Sequence, residues 1–220
     1  MNFPFDAVLC DLDGTILDTT PLILASLRHA TQRVLGSVPE DQVLLRNFGR
    51  PLEDSLRALA PDLDEARFAE LCQQYLDHNQ REHDRLVRLV PGVVLVLDWL
   101  LAHRVKLAIV TSKRRNMSLH GLERFGLSRY FETVVAREDT ESHKPGPEPV
   151  ELGLARLATE PARALYIGDS PYDMRSGRAA GTSAWGMLHN TFSAEVLRAA
   201  GAQRVARGWG EVGQWLTEQV

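Results

Sequence analysis

Five short apolar runs, each four to six residues long, recur along the 220-residue chain and limit what it can fold into. They are rich in Val, Ile and Leu without clean alternation, which is typical of strands buried on both faces of a parallel sheet. Helical patterns separate them, so we expect an α/β fold with a doubly wound, Rossmann-like parallel sheet. The runs are residues 7–10, 105–110, 133–136, 164–167 and 183–188, and the tail adds a helix at 194–200, a short strand containing Val205 and a last helix through Trp215.

One region, residues 16–89, interrupts this alternation because it carries helix signals only. Its first helix is predicted to begin at Thr20, which precedes a proline, and to end at Gly36. Further helices are expected at 40–47, at 52–59 and from 64 toward 84. We therefore expect two domains: an α/β core made of residues 1–15 and 90–220, and an inserted all-helical domain made of residues 16–89.

Composition excludes several classes of protein. The net charge of −4 lacks the basic balance that nucleic-acid binding demands. Two cysteines are too few for a disulfide framework, and Cys10 lies in an apolar run, so we expect it to be a buried thiol. The start of the sequence lacks the basic and apolar segments of a signal peptide. The most apolar stretch, residues 93–102, contains Asp98 and is too short to span a bilayer. We therefore expect a cytoplasmic protein without a membrane partner.

Polar side chains follow four of the five apolar runs. In an open parallel sheet, sites form at the carboxyl ends of the strands, so we expect these side chains to meet. Asp11 and Asp13 lie one residue apart after the first run, and two such carboxylates repel each other unless a cation or a proton joins them. The sequence therefore indicates a metal site. The other candidates are Thr111 and Ser112 after the second run, Lys144 after the third, and Asp169 and Asp173 after the fourth.

Four motifs in this order resemble those of the haloacid dehalogenase superfamily of phosphohydrolases. They are "DLDGT" at 11–15, "TS" at 111–112, "KP" at 144–145 and "GDSPYD" at 168–173. The resemblance covers essentially the whole chain, and the helical insertion lies where that superfamily carries its small C1-type cap, between the first and second motifs. The resemblance implies phosphoryl transfer by way of an aspartyl-phosphate.

The resemblance also implies a role for each motif residue. Asp11 is the nucleophile, and Asp13 protonates the leaving oxygen and later takes a proton from the attacking water. Thr111 and Ser112 bind the phosphoryl oxygens through hydroxyl and backbone N–H groups. Lys144 bridges the nucleophile and the phosphoryl group.

The resemblance further implies a Mg²⁺ site. Its ligands are the carboxylates of Asp11 and Asp169 and the backbone carbonyl of Asp13, an all-oxygen set that suits Mg²⁺. Asp173 orients the site or binds through water; the alternative is an acid in the first turn of a helix. Gly14 lets the chain turn away beside the phosphoryl group.

Two segments of the insertion bear on the substrate. "NFGRPLEDSL" at 47–56 resembles the cap loop of phosphoglycolate phosphatases, where Gly49 allows close approach and Arg50 reaches an anionic leaving group. Residues 75–87 resemble a segment of the pyrophosphatase branch, in which Asn79 and His83 share one helix face. The alternatives are an exposed loop arginine and a polar helix face.

We therefore expect a Mg²⁺-dependent phosphohydrolase that resembles phosphoglycolate phosphatase and acts on a small phosphorylated metabolite. An inorganic pyrophosphatase of the same family is the alternative. A phosphomutase shares the motifs. A dehalogenase needs neither Asp13 nor a metal, and a non-catalytic binding module would have lost part of the set.

Overall fold

A computed structural model describes residues 4–189 and 191–218. The strands are β1 (Ala7–Cys10), β2 (Leu17–Asp18), β3 (Arg88–Leu89), β4 (Lys106–Val110), β5 (Thr133–Val135), β6 (Ala164–Gly168), β7 (Ser183–Met187) and β8 (Arg204–Ala206). The helices are α1 (Thr20–Leu35), α2 (Asp41–Leu45), α3 (Leu52–Leu59), α4 (Glu65–Leu86), α5 (Val93–Ala102), α6 (Arg115–Arg124), α7 (Glu148–Arg156), α8 (Pro171–Ala179), α9 (Ala194–Ala199) and α10 (Trp209–Thr217).

Six strands form one parallel sheet in the order β5-β4-β1-β6-β7-β8. The predicted doubly wound sheet is confirmed, and all five apolar runs form strands whose ends lie within a residue of the prediction. β1 occupies the middle of the sheet between β4 and β6. This position matters for the site, because the residues after β1 emerge at the centre of the sheet's carboxyl edge.

Both faces of β1 are covered, which explains its unbroken apolar sequence. Val8 and Cys10 point into an apolar cluster that includes residues of α5, α6 and α10, whereas Ala7 and Leu9 point into a second cluster with α7. Cys10 is the buried thiol that the sequence predicts, and burial raises its pKa, so it stays protonated.

The helices α1 to α4 form an insertion between β2 and β3, with an apolar cluster of its own. Leu27 and Val34 from α1, Leu56 from α3 and Leu71 from α4 pack together there. α1 ends at Gly36 in the left-handed conformation, with φ of 75°. Across the described residues, no helix is both long enough and apolar enough to cross a membrane.

The expectation of helix signals only over residues 16–89 is wrong at both ends. β2 and β3 pair antiparallel, with Leu17 opposite Leu89 and Asp18 opposite Arg88. Two-residue strands are too short to show a period of two in the sequence, and their pairing arises because the two connections to the core run side by side. The connections are therefore tied to each other by backbone hydrogen bonds.

Candidate active site

The carboxyl edge of the sheet gathers the first three site residues. Asp11 follows β1, Thr111 follows β4 and Asp169 follows β6. The backbone N–H of Asp11 donates to the carbonyl of Ile167 at 2.9 Å, and that of Thr111 donates to the carbonyl of Val135 at 2.9 Å. Because both residues continue the hydrogen bonding of their strands, their positions are fixed by the sheet.

Lys144 links two carboxylates at the centre of the site. Its buried Nζ donates to Asp11 Oδ1 at 2.7 Å and to Asp173 Oδ1 at 2.6 Å, and it also lies 3.2 Å from both the Tyr166 hydroxyl and the Val110 carbonyl. Burial by itself lowers the pKa of Lys144, but the two carboxylates outweigh that effect and hold it above its usual value. The lysine is therefore a fixed positive charge beside Asp11.

Asp11 is almost fully buried, and its protonation is set by opposing effects. Burial raises the pKa of Asp11, the charge of Lys144 opposes that shift, and the neighbouring Asp173 adds to it. The net direction of the pKa is upward, because burial is the largest of these effects. A further cation here would favour the ionised form of Asp11.

Among these aspartates, the surroundings of Asp169 most strongly favour a bound cation. Both of its carboxylate oxygens are buried, and neither accepts a hydrogen bond from any described residue. Burial, followed by the charges of Asp11 and Asp173, raises the pKa of Asp169 well above its usual value. One carboxylate oxygen from each of these three aspartates lies within 4.8 Å of the others. Such an oxygen-only cluster fits a hard divalent cation.

Gly14 allows this cluster to form. Its φ is +79°, and a Cβ at this position would lie 2.1 Å from Asp169 Oδ2, so a larger residue would displace the carboxylate. The backbone that follows Asp13 can therefore pass directly beside Asp169.

Asp173 differs from Asp169, because both of its oxygens have partners. Its Oδ1 accepts from Lys144 and lies 3.0 Å from the Tyr166 hydroxyl. Its Oδ2 accepts from the Ser170 backbone N–H at 3.0 Å and from the Ser170 hydroxyl at 2.6 Å. With the Asp173 N–H near Ser170 Oγ, these contacts form a capping box that starts α8. Asp173 thus joins the start of a helix to Lys144.

The residues after β4 face both Asp13 and the insertion. Lys113 Nζ donates to the two oxygens of Asp13 at 2.8 and 3.2 Å. The Thr111 hydroxyl accepts from the Lys113 N–H at 3.2 Å, and the Ser112 hydroxyl donates to the Gly49 carbonyl at 2.9 Å. Ser112 therefore contacts the insertion directly. Sequence reasoning placed Lys113 after the second apolar run, beside the "TS" motif, but gave it no role in the site.

A cavity of about 120 Å³ lies between the sheet edge and the insertion. Asp11, Asp13 and Thr111 line it from the core, and Arg50 and Asn79 line it from the insertion. Site residues predicted from separate parts of the chain thus line one cavity.

The two residues of the insertion, Arg50 and Asn79, contact the cavity differently. Asn79 is buried and donates to the Tyr75 hydroxyl at 3.3 Å. The side chain of Arg50 is 35% exposed and lies 3.8 Å from Asp54. Gly49, with φ of +92°, brings this loop against the core, because a Cβ there would lie 2.8 Å from Ser170 Oγ.

Of the four site residues predicted in the insertion, Gly49, Arg50 and Asn79 line this cavity and His83 does not. Its buried ring lies at the end of α4, where Nδ1 is 3.0 Å from Asp84 Oδ1. The same oxygen is 2.8 Å from His120 Nε2 in α6. His83 therefore belongs to a contact between the insertion and the core, away from Asp11.

Besides Lys113, three charged residues at the cavity were not predicted: Glu53, Arg114 and Arg137. Glu53 accepts from Arg114 Nη2 at 2.7 Å, and its other oxygen lies 3.2 Å from Arg137 Nη2. Glu53 lies inside the cap-loop segment and Arg114 follows Lys113, so proximity to motifs is a signal for both. No motif surrounds Arg137, and only the tertiary packing of the chain places it at the cavity.

These features define a class of enzyme: a hydrolase whose buried aspartate follows the central strand and lines a cavity between the sheet edge and the insertion. The family model described as haloacid dehalogenase-like hydrolase matches residues 8–187, and the chain belongs to this family.

Known relatives extend the comparison over nearly the same length. Pyrophosphatase PpaX of Bacillus pumilus is 36% identical over 192 residues, covering 87% of each chain. Pyrophosphatase PpaX of Bacillus velezensis is 34% identical over 193 residues, covering 88% of each chain. The crystal structure of a predicted phosphoglycolate phosphatase from Haemophilus somnus superposes with a TM-score of 0.89 over 96% of this chain and 98% of the other; at 20% identity it shows likeness of fold alone.

Proposed function

We propose that the chain is a Mg²⁺-dependent phosphohydrolase and that inorganic pyrophosphate is its substrate. The observation that carries the proposal is the contrast at the sheet edge: Asp11 is held at 2.7 Å by Lys144, while Asp169 beside it keeps two buried oxygens without a partner among the described residues. This set fits phosphoryl transfer to a carboxylate next to a bound cation. The two pyrophosphatase relatives support pyrophosphate over phosphoglycolate.

The residues would divide the chemistry as follows. Asp11 attacks the phosphorus, the bond from phosphorus to the leaving oxygen breaks, and Asp13 gives that oxygen a proton. Water then attacks the aspartyl-phosphate and passes a proton to Asp13, which releases phosphate and restores Asp11. Lys144 and the hydroxyl group of Thr111 balance charge on the phosphoryl oxygens, because the Thr111 N–H is already bonded to the Val135 carbonyl.

Asp11, Asp169 and the backbone carbonyl of Asp13 would hold Mg²⁺. When bound, the ion supplies positive charge that offsets the negative phosphoryl oxygens and keeps Asp11 ionised. Asp173 positions Lys144 through its 2.6 Å hydrogen bond. Gly14 leaves room for Asp169 beside this group.

We propose that residues 16–89 act as a cap over a core formed by residues 1–15 and 90–220. The contact between Ser112 and the Gly49 carbonyl and the ion pair between Glu53 and Arg114 would join the two when closed. The paired strands β2 and β3 are where the backbone would change direction as the cap moves. Closure would keep bulk water from the aspartyl-phosphate until the leaving group departs.

Phosphate release from pyrophosphate, phosphoglycolate and phenyl phosphate tests the proposal, with Mg²⁺ and with excess EDTA. We expect kcat/KM to be largest for pyrophosphate and turnover to stop in EDTA. Phosphoglycolate is the second candidate, because Arg50 lines the cavity and can bind a carboxylate. The Asp11→Asn protein, purified identically, controls for contaminating phosphatases. Full activity in EDTA, or equal activity in the Asp11→Asn protein, would refute the mechanism.

A further inference from the structure

The cluster of Glu53, Arg114 and Arg137 places charge on the cavity wall from three separate elements. Glu53 lies in α3 of the insertion, Arg114 lies just before α6, and Arg137 begins a 3₁₀ turn after β5. The pKa of Glu53 is below its usual value: burial alone would raise it, but hydrogen bonding to Arg114 and the charge of Arg137 outweigh burial. Two guanidinium groups around one carboxylate leave a net positive charge facing the cavity.

Arg137 also has a donor that nothing satisfies among the described residues. Its Nε is buried and makes no hydrogen bond with any of them, and Glu53 Oε2 is likewise buried without a hydrogen bond. The Arg137 Nη2 lies 3.2 Å from that oxygen, so the pair attracts without the paired geometry that a guanidinium can make with a carboxylate. The Nε atom itself has no exposed surface, but the Arg137 side chain is 29% exposed and lines the cavity, so an anionic ligand there can contact its guanidinium group.

The two lysines at the site already donate to carboxylates, whereas Arg50 makes no such hydrogen bond. Lys113 donates to Asp13 at 2.8 Å, and Lys144 donates to Asp11 at 2.7 Å. Arg50 lies near Asp54 and is partly exposed to solvent. Arg137 therefore offers the cavity a positive group whose hydrogen-bonding capacity is not used up by the described chain.

We propose that Arg137, supported by Arg114, binds a second anionic group on the substrate, the one that leaves. The substrate class is then a phosphoanhydride, or a phosphate ester of a small acid, rather than an ester with an uncharged leaving group. This inference rests on the proposed function and deepens it. Glu53 is a positioning residue, which reaches the two arginines from the insertion and so completes the subsite only when the insertion contacts the core.

The test compares pyrophosphate with phenyl phosphate, whose leaving group carries no second anionic group, at fixed Mg²⁺. Losing a charge-assisted hydrogen bond is expected to lower kcat/KM of Arg137→Gln for pyrophosphate by about 10- to 100-fold. Activity on phenyl phosphate is expected to stay within about threefold, because the core chemistry is unchanged. Arg137→Lys keeps the charge but loses the planar guanidinium group. Its kcat/KM for pyrophosphate is therefore expected to lie between those of the wild type and Arg137→Gln.

Arg163→Gln is the matched control. Arg163 is also an arginine paired with a carboxylate, at 2.7 Å from Asp6, with 43% of its side chain exposed. It does not line the cavity, so its loss is expected to leave both substrates unaffected. Inhibition of phenyl phosphate hydrolysis supplies a second measurement: Arg137→Gln is expected to weaken inhibition by methylenediphosphonate but not by methylphosphonate.

The outcomes distinguish a failure of the inference about Arg137 from a failure of the proposed phosphohydrolase function. Equal loss on pyrophosphate and phenyl phosphate, or no loss on pyrophosphate, would overturn the role of Arg137 while leaving the phosphohydrolase intact. A wild-type protein inactive on both substrates would overturn the proposed function and the inference with it. Should Arg137→Gln fail to fold, Arg137→Lys and the inhibitor pair decide the question.

Discussion

Asp169 is predicted to destabilise the metal-free protein, and Asp169→Asn is predicted to relieve that cost. The wild-type carboxylate is buried, has no hydrogen-bond partner among the described residues, and lies near the carboxylates of Asp11 and Asp173. An asparagine has nearly the same shape, carries no charge, and offers an N–H donor to those neighbours. Removing the third negative charge is therefore expected to raise stability while destroying the cation site.

The stability difference between the wild type and Asp169→Asn is expected to change with pH in a direction that can be checked. The folded pKa of Asp169 is raised by burial and like charges, whereas the unfolded value is about 3.9. Above that pH the unfolded chain releases the proton first, so wild-type stability falls by about 1.4 kcal/mol per pH unit until the folded carboxyl also ionises. The advantage of Asp169→Asn is thus absent below about pH 4 and grows as pH rises.

Thermal unfolding at about pH 8 and about pH 4, each with EDTA and with Mg²⁺, measures these effects. In EDTA at the higher pH we expect Asp169→Asn to gain about 1–3 kcal/mol, the usual cost of an unsatisfied buried group. For a chain of this size that corresponds to a rise in Tm of about 2–12 °C. Mg²⁺ at about 100 times its Kd is expected to stabilise the wild type by about 2.7 kcal/mol and the variant by far less.

Asp173→Asn is the matched comparison, because Asp173 is an equally buried aspartate whose oxygens all have partners. It loses charge-assisted bonds to Lys144 and Ser170, so it is expected to destabilise the protein by at least about 2 kcal/mol. The reasoning would be refuted if Asp169→Asn lowered Tm in EDTA at the higher pH, or if Mg²⁺ raised the Tm of the wild type and Asp169→Asn equally.

Three further predictions concern turnover. Asp11→Asn is expected to fold with a Tm within a few degrees of the wild type yet to lose at least about 10³-fold in kcat, measured by phosphate release; retained activity would exclude a covalent route through this residue. Ca²⁺ is expected to replace Mg²⁺ poorly, because its larger and looser coordination misplaces the nucleophile, and equal rates with both ions would contradict this. Arg50→Ala and Asn79→Ala are expected to lower kcat/KM for pyrophosphate about tenfold and for an aryl phosphate much less; equal loss on both would make these residues structural.

The strands of the sheet could be predicted because the apolar pattern that indicates each strand lies within the strand itself. β1 is covered on both faces, so its four residues are all apolar, and the buried interiors of β4 and β6 follow the same pattern. Because chemistry concentrates at the carboxyl ends of parallel strands, the sequence alone indicates that Asp11, Thr111 and Asp169 lie together. The order of the polar residues along the chain is sufficient for the core of the site.

Features that depend on long-range packing could not be predicted in the same way. β2 and β3 pair although the whole helical insertion separates them in sequence, and neither is long enough to show a pattern. Arg137 lies after an edge strand with no motif around it, and its relation to Glu53 exists only because the insertion packs on the core. His83 shows the opposite error: it lies on the same helix as Asn79, as predicted, but one further turn of α4 carries it past the end of the cavity to Asp84.

The two aspartates that follow β1 repel each other and the other carboxylates of the site. The structure gives partners to some of these carboxylates and not to others. Asp13 is paired with Lys113, Asp11 with Lys144, and Asp173 shares Lys144 while also accepting from Ser170. Asp169 alone among these four carboxylates is given no hydrogen-bond donor by the described chain. The carboxylate that still lacks a positive or hydrogen-bonding partner is therefore that of Asp169, next to the nucleophile Asp11. A bound cation at this carboxylate stabilises the fold and favours ionised Asp11 through the same contact, so metal binding, stability and activity are expected to rise together.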